Sequence, residues 1–274
     1  MLCRVCSSST APAFTHRVLR KYDCRYYLCG NCGCLQTEEP FWLDEAYASP
    51  VAAADTSILW RNLYLARVVS VLLYFQFDHD GRFLDTAGGY GLFTRLMRDI
   101  GFDYYWADSH SPNLTARGFE ADGGPGAPYE AVTAFEVMEH LSDPMAFVAE
   151  LLESTGTDTV IFTTDLFEGT PPAPEEWRYY AFATGQHITF YQKSTLELIG
   201  KRFGMRFHTS LRWPWVRGLG GVGVHVWSRA RINPLVWKVL AAPRVAGVLQ
   251  GIPRRALESR TWSDADGFLR AGEG

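Results

Sequence analysis

The run Arg82-Phe-Leu-Asp-Thr-Ala-Gly-Gly-Tyr-Gly91 constrains this chain more than any other part of it. Phe83 and Leu84 end a short apolar strand, Gly88, Gly89 and Gly91 make a flexible turn, and Leu92 to Arg98 has helical spacing. Strand, glycine turn and helix make the first βα unit of a nucleotide-binding sheet, where missing side chains let a ligand touch the backbone. The pattern continues. Gly101 to Asp108 reads as a second strand ending in an acid, 17 residues beyond Gly91, where such folds use a carboxylate to hold ribose hydroxyls. Tyr129 to Glu136 and Thr159 to Thr164 read as buried strands, and Asp143-Pro144 starts a helix through Leu152. The alternation predicts an α/β fold, a Rossmann-like mostly parallel sheet flanked by helices, with ligands at the strand C-terminal ends.

All six cysteines fall in the first 34 residues. Cys3-Arg-Val-Cys6 and Cys29-Gly-Asn-Cys32 are two C-x-x-C pairs with 22 residues between them, the spacing of a tetrahedral zinc site. Gly30 and Gly33 are expected to ease the second turn. Such a shell is closed, so the zinc is structural, folding a module too small for a core of its own. Cys24 and Cys34 are surplus, and either is an alternative ligand.

The chain is 47% hydrophobic and 20% charged, an ordinary globular composition, and its net charge of −4 argues against a general nucleic-acid binder. The N-terminus has no apolar run of signal-peptide length, which predicts a cytoplasmic protein. No continuously apolar stretch approaches membrane-spanning length, so no spanning helix is expected. Apolar residues from Ile58 to Leu73 recur at three- and four-residue intervals, predicting a helix that covers the sheet or the ligand pocket.

Asp85 to Gly91, Asp108 and Phe135-Glu-Val-Met-Glu-His-Leu-Ser-Asp-Pro144 resemble class I S-adenosylmethionine-dependent methyltransferases. The resemblance implies that Asp85, Ala87, Gly88, Gly89, Gly91 and Glu136 line the cofactor and that Asp108 holds its ribose. The family's first glycine is Ala87 here. A nicotinamide cofactor is the competitor, but the G-x-G-x-x-G spacing is incomplete and Glu136 to His140 has no role in that fold. Glu139 and His140 are candidates to position an acceptor, take its proton or hold a divalent metal, as a similar Glu-x-x-Glu-His motif does in some methyltransferases. Gly185-Gln-His187-Ile-Thr-Phe-Tyr191 resembles a segment of bacterial sugar and small-molecule methyltransferases whose histidine lies at the acceptor site. His187 is the leading base candidate, with Tyr179 or Tyr180 as helper, and Ser194 is the expected cap of the next helix. The cysteine module in front narrows the resemblance to methyltransferases with an N-terminal zinc-binding domain.

The expected organisation is a zinc module over 1–45, a linking helix in 46–78, the methyltransferase domain over 79–210 and a tail of strand and helix over 211–274. Trp213 to Gly223 reads as a loop, Val224 to Trp227 as a strand and Pro234 to Gln250 as one helix, with peripheral membrane contact as an alternative to packing. The expected function is methyl transfer to a small-molecule acceptor, a sugar or saccharide precursor. A non-catalytic cofactor-binding scaffold and an RNA or protein methyltransferase are the alternatives. The acceptor atom and the oligomeric state are open.

Overall fold

The computed structural model describes residues 1–48, 55–121, 128–210 and 223–272. In chain order, a hairpin of β1 (Ala11–Val18) and β2 (Tyr22–Leu28) precedes β3 (Leu35–Thr37), the short α1 (Leu43–Ala46) and the long α2 (Ile58–Gln76). Next come β4 (Arg82–Thr86), α3 (Leu92–Ile100), β5 (Asp103–Ala107), β6 (Ala131–Ala134), α4 (Pro144–Thr155) and β7 (Thr159–Thr163). Then follow β8 (Thr189–Phe190), α5 (Lys193–Arg202), β9 (Arg206–Thr209) and β10 (Val224–Ser228). The chain closes with α6 (Pro234–Leu240), α7 (Pro243–Leu249), α8 (Gly251–Ala256) and α9 (Thr261–Ala271).

The main sheet runs β5-β4-β6-β7-β10-β9. Its first four strands are parallel, and β10 is antiparallel to β7 and β9. Every residue of β6, β7 and β10 is buried, which is why these strands read as apolar runs with no alternation. The strand order reverses at β4, so the crevice for a ligand opens above the C-terminal ends of β4 and β6. Asp143 caps α4 by accepting from the Met145 and Ala146 amides, and Pro144 fills the first helical position.

A second sheet, β1-β2-β3-β8, is antiparallel throughout. Its last strand comes from residues 189–190, so the 1–45 module is completed by the segment that carries His187. Arg4 stitches the two together, donating to the Ile188 carbonyl at 2.6 Å and to the Thr37 and Glu38 carbonyls. Trp42 adds a bond to the Gly185 carbonyl at 2.8 Å.

Three local expectations are corrected. The cap of α5 is Gln192, which exchanges bonds with Thr195, while Ser194 turns its hydroxyl to the Cys32 carbonyl. The single helix expected over Pro234 to Gln250 is two, α6 and α7, because Pro243 breaks the run and restarts it at a 77° bend. Helix α2 is long and apolar enough to cross a membrane by length and composition. Here the stretch Val68 to Leu73, past its midpoint, is buried on all sides within the main core, in the manner of a core helix. Trp213-Pro-Trp215 and the loop expected through residue 222 lie outside the described residues.

Helix α9 is clamped to α3 by a buried ion pair. Asp264 accepts two bonds of 2.8 Å from Arg98 and one of 2.9 Å from Arg95, and the Arg98 and Asp264 side chains are 4% and 8% exposed. Burial opposes the charge on Asp264, but Arg98 outweighs it and holds the carboxyl below its usual pKa. That stability is therefore present above the unfolded value and is lost as pH falls through the lower native one. Asp264→Ala removes the partner of Arg98 Nε and Nη2, leaving Asp103 to pair the buried guanidinium, and is expected to cost about 2 kcal/mol, roughly 4–8 °C in Tm by calorimetry. An unchanged melting point would show the clamp to be idle.

Candidate active site

The glycine turn is built for close approach. Gly89 and Gly91 have φ of +54° and +83°, the left-handed region that side chains resist. Ala87 occupies the same region at +52° despite its Cβ, so the replaced family glycine keeps its backbone shape at a cost in local strain. A Cβ on Gly88 would sit 2.7 Å from the Trp106 ring and 2.8 Å from Asp85 Oδ2. One on Gly89 would meet nothing within 4 Å, because that position faces the open cleft. Asp108 accepts from the Gly89 amide at 2.9 Å and from the His110 and Ser111 amides, which locks the turn against the end of β5.

Asp85, Gly88, Gly89, Phe135 and Glu136 line one cleft, and α2 supplies its other wall through Arg61 and Asn62. Asp85 is buried and accepts from Thr133 at 2.8 Å; desolvation, only partly offset by Thr133, pushes its pKa up to about 7. Desolvation and the neighbouring Glu139 do the same to Glu136, which accepts from Thr163 at 2.8 Å and stands at a φ of +54°. Two poorly hydrated carboxylates in one crevice suit a ligand that brings positive charge, as a sulfonium and an ammonium do. The residues present fit S-adenosylmethionine.

Beside this cleft, Glu139, His140 and His187 bring one ligand atom each within 4.8 Å of one another. Glu139 is fully buried, and among the described residues neither carboxylate oxygen has a hydrogen-bond partner of good geometry, although the Tyr179 and Thr164 hydroxyls lie close enough to favour its charge. His187 Nδ1 lies 2.5 Å from the Tyr179 carbonyl, and His140 Nδ1 is 3.1 Å from that of Gln186. A carbonyl only accepts, so the His187 ring carries its proton on Nδ1 and leaves the Nε2 lone pair free. Burial, with His140 close by, pulls the His187 pKa down to about 3, and burial lowers His140 as well. Both imidazoles are neutral.

Tyr180 is a correction. It is fully buried under the N-terminal sheet, and its hydroxyl donates to the Pro172 carbonyl, so it faces away from the cleft. Tyr179 is the tyrosine at the site, its ring 4.7 Å from His187 and its hydroxyl 3.0 Å from that of Thr164. Tyr47 was not foreseen; its hydroxyl is 2.8 Å from His140 Nδ1, and no local pattern announces it. Trp60 and Tyr64 stack on each other, and neither lines the cleft.

At the N-terminus, Cys3, Cys6, Cys29 and Cys32 place four sulfurs within 4.8 Å. The Cys3–Cys32 and Cys6–Cys29 separations are 3.5 and 3.4 Å. The edge of a tetrahedral zinc–thiolate site, with Zn–S near 2.3 Å, is about 3.8 Å. Cys24 and Cys34 stand outside this group, turned to the Arg25 and Leu35 carbonyls. Gly33 has the left-handed backbone its turn needs, at a φ of +82°. Gly30 has no such backbone, and in the first turn Ser7 takes that role.

A reversed strand order, a glycine turn under the crevice and an acid after β5 define a Rossmann-like cofactor-binding domain. Residues 59–210 match the family model described as a methyltransferase domain, and the chain belongs to that family. No curated protein matches the chain. Similar solved structures include CalO1, a methyltransferase in calicheamicin biosynthesis with S-adenosylhomocysteine bound, at 14% identity and a TM-score of 0.44, covering 64% of this chain and 55% of that one. TnmH is similar at 17% and 0.48, covering 69% of this chain and 61% of that one. The magnesium protoporphyrin IX methyltransferase of Synechocystis PCC 6803 is similar at 11% and 0.44, covering 69% of this chain and 93% of that one. The chain thus spans little more than half the length of the first of these.

Gly88→Ala drives a methyl group into Trp106 and Asp85, so it is expected to weaken S-adenosylmethionine binding at least tenfold by calorimetry. Asp108→Ala frees three backbone amides that shape the turn and is expected to act in the same direction. Full affinity in both variants would move the donor site elsewhere.

Proposed function

We propose that the enzyme transfers a methyl group to a hydroxyl of a small polyhydroxylated acceptor, a saccharide or saccharide precursor, with His187 as the base. The observation that carries this reading is His187 itself: a neutral imidazole, locked through Nδ1, with Nε2 free beside the donor cleft. When bound, S-adenosylmethionine supplies an electrophilic methyl group on a sulfonium. His187 Nε2 takes the acceptor proton as the new oxygen–carbon bond forms and the sulfur–carbon bond breaks, leaving the thioether. Asp85 and Glu136 hold the donor through its positive charges. The Tyr179 ring, 4.7 Å from His187, is the aromatic group beside the base. The net charge of −4 counts against an RNA acceptor, and a free Nε2 beside the donor site counts against a silent scaffold.

A second reading rests on Glu139. A buried carboxylate whose oxygens have no hydrogen-bond partner among the described residues, beside two imidazoles of which His187 donates Nδ1 to a backbone carbonyl, is the donor set of a divalent metal with a supporting bond. Such an ion would hold an acceptor hydroxyl and lower its pKa, and His187 would then be a ligand. In the same way, zinc is proposed on Cys3, Cys6, Cys29 and Cys32.

Calorimetric titration with S-adenosylmethionine, and separately with NADH, followed by assay against saccharide and phenolic acceptors, tests the first reading. Micromolar binding of S-adenosylmethionine alone and transfer to a sugar hydroxyl are expected. Transfer confined to phenolic acceptors would discard the saccharide. Strict dependence of the rate on added Mn²⁺ or Co²⁺, removed by Glu139→Gln, would select the metal reading.

A further inference from the structure

Residues 229–260 contain seven basic side chains and one carboxylate, Glu258, in a chain whose net charge is −4. Arg229 is tied to Asp158 and Arg260 to Asp103. The other five, Arg231, Lys238, Arg244, Arg254 and Arg255, make no ion pair among the described residues. The same stretch leaves large apolar side chains in the open. Helix α6 turns Trp237 and Leu240 into the core and leaves Leu235 and Val239 72% and 53% exposed. Along residues 243–256, Arg244, Val248, Ile252 and Arg255 recur every three or four positions and share one face, while Ala246 and Pro253 are buried on the opposite one. Val248 is 81% exposed.

Helix α2 extends this surface. Leu59 and Leu63 are exposed, and Arg67, one further turn along the same face, donates to Gln250 at 3.1 Å where α7 meets α8. The other face of α2 carries Arg61 and Asn62 to the cofactor cleft. Exposed apolar residues on neighbouring helix faces, with unpaired cations beside them, match the chemistry of one partner: a bilayer whose headgroups are anionic and whose acyl region accepts the apolar side chains. An acidic protein would satisfy the cations but leave Leu235, Val239 and Val248 without a reason to be bare.

We propose that the outer faces of α6, α7 and α8, with the exposed end of α2, form a peripheral docking surface for an anionic lipid bilayer. The surface lies outside the cofactor cleft and is independent of which acceptor is methylated. The full-length protein is sedimented with vesicles of phosphatidylcholine alone and of phosphatidylcholine mixed with phosphatidylglycerol. Binding to the anionic vesicles is expected to be at least ~tenfold tighter and to weaken with salt. The double variant Arg254→Ala/Arg255→Ala should reduce it, and Val248→Asp/Ile252→Asp should abolish it with S-adenosylmethionine affinity unchanged. Equal binding to both vesicles, or anionic binding indifferent to the Val248 and Ile252 changes, would overturn the proposal. So would a dimer in light scattering that Val248→Asp dissociates, because the surface would then belong to a second copy of the chain.

Discussion

His187→Ala should bind S-adenosylmethionine as tightly as the native enzyme and lose methyl transfer by about 10²- to 10⁴-fold, the range a positioned base contributes. The split between binding and turnover follows from geometry. The donor cleft is lined by Asp85, Gly88, Gly89, Phe135 and Glu136, and His187 is not among its walls. What the variant removes is the Nε2 lone pair beside that cleft. His187→Gln separates the two readings of this residue. An amide cannot accept a proton at neutral pH, so it fails as a base, but its oxygen can still ligate a hard metal ion. Activity absent in both variants supports the base; activity partly restored in the glutamine variant by Mn²⁺ supports the metal. Unaltered turnover in His187→Ala would remove the residue from the chemistry altogether.

Much of this site was legible because it depends on local rules. A left-handed turn between strand and helix needs glycine, and Gly89 and Gly91 announce it; the acid after the next strand falls at a set distance because one helix and one strand intervene. The cysteine pairs were legible for the same reason, since two-residue spacing is what a knuckle requires. The failures share a different cause. Nothing local ties Arg98 to Asp264, 166 residues away, or sends Thr189 and Phe190 to pair with β3. Such contacts are fixed only when the whole chain has folded. Tyr179 and Tyr180 could not be separated by sequence because they share a three-residue 3₁₀ turn, where each step rotates a side chain by about 120°. One tyrosine reaches His187, and its neighbour is buried under the hairpin. Gln192 displaced Ser194 as a cap because tertiary contact with the Cys32 carbonyl engages the serine first.

Zinc removal should be the larger perturbation, and it should reach the active site. Native protein is expected to hold one zinc per chain, and Cys32→Ser or treatment with a strong chelator to release it and lower Tm by 10 °C or more, as structural zinc contributes directly to folding. The effect cannot stay within the first 45 residues. Cys3, Cys29 and Cys32 pack in one apolar cluster with Leu84, Val132 and Phe162 of the main sheet and with Leu196 and Ile199 of α5. The Cys32 carbonyl also accepts from Thr195 at 2.8 Å, which ties the second knuckle to the start of α5. Between those points lies β8, paired with β3 on one side and leading back to His187 on the other. Loosening the knuckles therefore disturbs the base, held through β8, more than the glycine turn and Asp85, which β4 holds through its pairing with β5 and β6. Metal-free protein that remains folded at low temperature should bind S-adenosylmethionine within a fewfold of native affinity and turn over at least ~100-fold more slowly, since misplacing a reacting group by about 1 Å costs that much. Protein that is purified without zinc yet melts and turns over normally would leave the four thiols as buried side chains and cut the link between the N-terminal sheet and catalysis.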